Sequence, residues 1–144
     1  MAVFFDTIPR AQLLARVKAK VSDGRIHFEQ GRKWPRRRSE RKFRDTVRAQ
    51  TRRTSGQSLA TAIVELNRTL VGWFGYFKHS HWTTFTTLDG WVRRRLRSIL
   101  RRRQGRKGPG RGADHQRWPK AYFAEHGLFS LATAHATAGQ SSRR

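Results

Sequence analysis

The chain contains no cysteine. Disulfides, cysteine-ligated zinc and thiol nucleophiles are excluded by that alone. Acidic residues are scarce too, with Asp+Glu 9 against Lys+Arg 32. No two acids are adjacent in the sequence, so the clustered carboxylates that hold paired catalytic metal ions have no counterpart. The 6 His show no metal-ligand spacing, and His79 and His81 would point away from each other on a helix. No Gly-rich phosphate loop and no Ser/His/Asp set is present. No apolar run approaches a membrane span, and residues 2–5 are far too short for a signal-peptide core. The expectation is a cytoplasmic protein that is not an enzyme, with no metal, no cofactor, no small-molecule substrate and no membrane partner.

What the chain has is positive charge. Its 144 residues carry a formal net charge of +23, with a hydrophobic fraction of only 36%. A compact fold with that charge repels itself, so counter-charge must come from a partner, and nucleic acid fits best. Arg predominates over Lys, and a guanidinium offers phosphate a planar fork where an ammonium is a point charge. A ribosomal or nucleoid protein would satisfy the same argument. An acidic membrane surface fits less well, because the aromatics fall at helical spacing.

The apolar pattern predicts a mainly α fold. Residues 58–78 place Leu59, Ile63, Leu66, Leu70, Trp73, Phe74 and Phe77 on one stripe. Residues 84–103 do the same with Phe85, Leu88, Val92, Leu96 and Ile99, and turn Arg93, Arg94, Arg97 and Arg101 to the far side. These are two long antiparallel helices joined by 79–83, with Ser58 capping the first. A basic helix precedes them over 40–53, capped by Ser39, with Phe43 and Val47 inward and Arg41, Arg44, Arg48 and Arg52 in a row. Trp34, before Pro35, is biased towards extended backbone. Gly72 and Gly75 fall off the apolar stripe and mark either a kink or helix end near Leu70, or close approach by a partner. Residues 104–118 are Gly- and Arg-rich and should be flexible when free, before short helices at 119–125 and 128–137. At the amino end, 2–8 lean towards a strand, and a narrow amphipathic helix runs from Pro9 to Gly24, together a loosely packed appendage.

Two runs carry a family resemblance. Leu66-Asn67-Arg68-Thr69-Leu70-Val71-Gly72-Trp73-Phe74-Gly75-Tyr76-Phe77 is one. Phe85-x-x-Leu88-Asp89-Gly90-Trp91-Val92-Arg93-Arg94-Arg95-Leu96-Arg97 is the other. Both resemble the maturase-specific region, the thumb or X domain, of bacterial group II intron reverse transcriptases. The resemblance extends from His27 to the carboxyl end. Phe4-Phe5-Asp6-Thr7-Ile8-Pro9 and Val21-Ser22-Asp23-Gly24-Arg25 resemble the palm segment that follows the first catalytic aspartate. The position matching that aspartate falls before Met1, and Arg10 stands where the family usually has His. Between Arg25 and His27 the family has the rest of its palm, including the Tyr-x-Asp-Asp pair; here the sequence passes straight to the thumb.

The resemblance implies an internally deleted reverse transcriptase. A palm remnant would occupy 1–26, a thumb-type helical bundle 27–104, and a basic flexible linker with a helical tail 105–144. It also implies binding of group II intron RNA, or other structured RNA, in support of splicing and without polymerase activity. A full-length reverse transcriptase homologue is a further implied partner. Arg93, Arg94, Arg97 and Arg101, backed by Arg41, Arg44, Arg48 and Arg52, would contact phosphate, giving affinity without sequence reading. Lys78, His79 and His81 would either touch RNA or form an ordinary polar loop. Trp34, Trp82 and Trp118 stand beside basic residues and are candidates for stacking on unpaired bases; Trp73 and Trp91 read as core. Asp89 reads as a cap or an Arg partner, not a catalyst. The rival readings are a relic with no selected role, residual polymerase activity in trans with an intact copy, and a generic basic nucleic-acid-binding protein.

Overall fold

A computed structural model describes residues 26–141. The strand and helix expected over 2–24, and with them the palm-like stretch, lie outside the described residues, as does the end of the tail.

The described chain opens with an element the apolar periodicity does not announce. Strands β1 (Ile26–Glu29) and β2 (Arg32–Pro35) pair antiparallel in the register Ile26↔Pro35, His27↔Trp34, Phe28↔Lys33 and Glu29↔Arg32. Gln30 (φ 50) and Gly31 (φ 73) form the connection. Left-handed backbone at both central residues is what a tight two-residue hairpin turn requires, and Gly meets that demand without strain. Trp34 is extended, as its place before proline predicts.

Six helices follow. α1 (Arg37–Gln50) starts earlier than its expected cap: Arg36 is the N-cap, Glu40 N–H donates to Arg36 O at 3.0 Å, and Ser39 lies inside the first turn. Glu40 in that turn suits the helix dipole. α2 (Leu59–Phe77) is capped by Ser58, whose hydroxyl accepts from Thr61 N–H at 3.1 Å. It runs unbroken through Gly72 and Gly75, and a Cβ at either would meet nothing within 4 Å. The helix end expected near Leu70 is absent, and internal packing supplies no reason for the two glycines. α3 (Trp82–Arg103) closes with Gly105 at φ 73; Gly105 N–H donates to Arg102 O and Arg106 N–H to Arg101 O, so the last carbonyls are satisfied. α4 (Gly112–Arg117), α5 (Lys120–Glu125) and α6 (Leu131–Ser141) complete the order.

One core joins these elements. Phe43 and Val47 of α1, Ile63, Leu66 and Leu70 of α2, and Phe85, Leu88, Val92, Leu96 and Ile99 of α3 are buried in it. Trp118, Phe123 and Leu131 complete it from the carboxyl side, so no break in packing falls at 104/105. Among the helices, backbone contact is most extensive between α3 and α6 and between α1 and α2. The two long helices meet chiefly through large side chains: Phe85 lies 5.5 Å from Phe74 and 6.2 Å from Trp73, edge to face. Trp73 stacks in turn on Phe43 and Phe77 at 4.8 and 4.5 Å. Such pairs add about 0.5–1.5 kcal/mol each beyond the area they bury.

Polar ties hold the tail in place. Asp89, 5% exposed, accepts from Ser130 Oγ (2.8 Å), Leu131 N–H (3.0 Å) and Ala132 N–H (3.0 Å), and so caps α6 from a neighbouring helix. Asn67 donates to Gly127 O and accepts from Phe129 N–H, both at 2.8 Å. The Gly/Arg-rich stretch is also anchored: Arg101 pairs with buried Asp114 at 2.7 Å, and Arg97 Nε donates to Trp118 O at 2.8 Å. Among the described residues no helix is long and apolar enough to cross a membrane.

Candidate nucleic-acid interface

The cationic surface centres on the junction of α1 and α3. Trp91 projects from α3 towards α1, and the guanidinium groups of Arg44 and Arg48 lie over its ring at 4.8 and 5.5 Å. Helical spacing on α1 makes this work, because residues four apart share a face. Each arginine also holds a local acid: Arg44 donates to Glu40 at 2.8 Å and Arg48 to Asp45 at 2.9 Å. The acids and the ring fix the direction of the forks; Arg48 keeps half its side chain in solvent, and Arg44 is more deeply covered, its side chain 23% exposed. Trp91, expected in the core, packs half-buried against it and also serves as a shelf for these arginines.

Beside the shelf is an open concavity of about 510 Å³, lined by Arg44, Arg93, Arg94, Arg97, His115 and Lys120 together with Trp91, Gly90, Thr86 and Thr87. No carboxylate lines it. Asp89, one position from Gly90, is occupied by the N-terminus of α6. Arg94 is exposed and Arg93 half-exposed. A second concavity, of about 440 Å³, lies at the end of α3 and is lined by Arg53, Arg102, Arg106, Lys107 and two glycines. Arg95 spans from α3 to the end of α1, donating to Thr51 Oγ1 at 3.1 Å and Thr51 O at 3.0 Å. Burial, then the charges of Arg53 and Arg48, pulls the Arg95 guanidinium below its usual range.

The structure divides the expected row on α3. Arg97 does not face water: it is 4% exposed, its guanidinium lies 5.4 Å over the Phe123 ring, and burial followed by the charge of Arg93 lowers its pKa. Arg101 is turned inward to Asp114 and Lys107 O. The Asp114 carboxyl is held below the usual range by the Arg111 N–H first and the Arg101 guanidinium second. The elements that cover Arg97 and Arg101 arrive from 104–118, which the pattern of α3 alone cannot foresee. Arg41 and Arg52 are exposed.

The aromatic candidates separate likewise. Trp118 is 6% exposed and belongs to the core, so it is not a stacking surface. Trp34 is half-buried against His81, with ring centroids 4.8 Å apart. Trp82 is 56% exposed. Lys78 and His79 are exposed in the turn between α2 and α3, and His81 is half-buried at the start of α3. Spacing along the chain does not single out Arg95, Arg102, Arg106, His115 or Lys120. Their only signal was density of positive charge, since their neighbours come from separate elements.

Residues 40–118 match the family described as group II intron, maturase-specific domain. No curated protein matches the chain.

Proposed function

The chain belongs to the group II intron maturase-specific domain family, and on that premise we propose that it binds structured RNA, group II intron RNA foremost, in support of splicing. The contact surface is the concavity lined by Arg44, Arg93, Arg94 and Lys120, with Arg48 over the neighbouring Trp91 and the exposed Arg41 and Arg52 of the same row as further phosphate ligands. Arg97 and Arg101 act behind them, holding the carboxyl segment in place. No polymerase step is assigned to the chain: no two acids are adjacent in its sequence, and among the described residues no group of three or more His, Asp or Glu could hold a metal ion.

The observation that carries this reading is a concave surface lined by guanidinium and ammonium groups with no carboxylate among them. Each phosphate neutralised there releases condensed counterions, which makes affinity steeply salt-dependent. The test is binding of the purified chain to folded intron RNA and to duplex DNA over a salt series. A log–log slope of several units, at about 0.7–0.9 per phosphate contact, is expected, with preference for the RNA. A flat salt response overturns the reading. Equal affinity for duplex DNA identifies a generic basic protein instead.

A further inference from the structure

Trp82 opens α3 at 56% exposure, more than any other large apolar residue among the described residues. It is not loosely held. Its ring lies 5.7 Å from that of His81, and His81 lies 4.8 Å from Trp34, with planes tilted 40° and 37°. The three rings are in successive tilted contact, from Trp34 in the hairpin through His81 to the exposed Trp82. Each inner member is pinned separately. His81 N–H donates to Lys33 O at 2.9 Å, and His81 Nδ1 meets Thr83 Oγ1 at 2.8 Å. Trp34 is fixed opposite His27 in the hairpin register. The outer face of Trp82 therefore sits on a braced support before any ligand arrives.

The turn that leads into it carries a lysine and no acid. Lys78 and His79 are exposed just before it in the turn, Lys33 supplies the carbonyl that holds His81, and 78–83 contains no carboxylate. The hairpin's acid, Glu29, faces His27 at 4.0 Å. An exposed π-face with an exposed lysine in the adjacent turn suits a base whose phosphates run alongside, because every nucleobase has a π-face and its backbone supplies the counter-charge.

We propose that Trp82 is the stacking platform for an unpaired nucleobase of the bound RNA, with Lys78 and His79 towards its phosphates and His81 and Trp34 as positioning residues behind it. This rests on the RNA-binding reading above and adds the structural class of RNA: a strand with at least one unstacked base, unselected for sequence.

The test uses the full chain and two RNAs, a blunt hairpin and the same hairpin with a single-stranded tail. Affinity is read by fluorescence anisotropy for wild type, Trp82→Ala and Trp82→Phe. Trp82→Ala is expected to weaken the tailed RNA by about 5–150-fold, from the usual worth of one base–aromatic stack. It should leave the blunt hairpin and the salt slope unchanged, and Trp82→Phe should restore part of the loss. A tail carrying 5-iodouracil should photo-crosslink to Trp82 in wild type. Equal weakening of both RNAs, no weakening of either, or crosslinks only elsewhere overturns the platform. If wild type binds neither RNA, the RNA-binding reading fails and takes the platform with it.

Discussion

Exchanging Arg93 and Arg94 for Gln, beside Arg97→Gln alone, tests whether the α3 arginines are divided as the structure divides them. Arg93 and Arg94 line the concavity and hold no hydrogen bond or ion pair to another described residue. Removing two phosphate contacts should lower the log–log salt slope by about 1.4–1.8. At 0.1 M salt that corresponds to roughly 25–60-fold weaker binding, shrinking towards none as salt approaches 1 M. The melting temperature should hold or rise slightly, since the charge of Arg93 acts against that of Arg97. Arg97→Gln should do the reverse. It leaves Trp118 O without its donor and Phe123 without its covering guanidinium. A buried polar group left unsatisfied costs about 1–3 kcal/mol, or several degrees in Tm for a domain this size. Its salt slope should stay near wild type. The assays are anisotropy over a salt series and calorimetric melting of the same preparations. An unchanged slope in the double variant, or a lowered slope with unchanged Tm in Arg97→Gln, refutes the division.

Three further outcomes are expected. Asp89→Ala removes the acceptor of three hydrogen bonds at the start of α6 and should cost about 1–3 kcal/mol; hydrogen exchange should rise first in Leu131–Ser141, and uniform loss across the fold would contradict this. Asp114, with its pKa depressed in the fold, contributes stability that is present above its unfolded value of about 3.9 and is lost as pH falls through the lower folded value. Proteolytic cleavage within 104–118 should therefore rise in strong acid for wild type, while Asp114→Asn should be cleaved readily at neutral pH with little further change on acidification. Leu66, fully buried in the shared core, should cost about 2–5 kcal/mol as Leu66→Ala, and both proteins should melt in one cooperative transition; a broad non-cooperative melt of wild type would instead favour the relic reading.

Much of this architecture is legible in the chain. Apolar residues at steps of three and four locate α2 and α3 and name their buried faces, since a helix's angular geometry is local. Ser58 is a visible cap for the same reason, whereas Asp89 reads equally as a cap or an Arg partner until the start of α6 is seen to lie against it. The hairpin of β1 and β2 is not legible by those means. Its turn is Gln30-Gly31 without the commoner Asn-Gly, and its second strand is largely cationic, so neither apolar alternation nor a strong turn pair marks it.

The chain's periodicity determines which side of each helix is greasy and which is charged. It does not determine what comes to lie against the charged side. Arg94 and Arg97 share a helix and a chemistry, yet one meets solvent and the other the carbonyl of Trp118. Trp82 and Trp118 both stand next to polar or basic neighbours, yet one is exposed and the other sealed in the core. Those outcomes rest on contacts between residues far apart in the chain. Only the tertiary fold decides them, because covering a group depends on what distant segments bring to it, and no local angle carries that information.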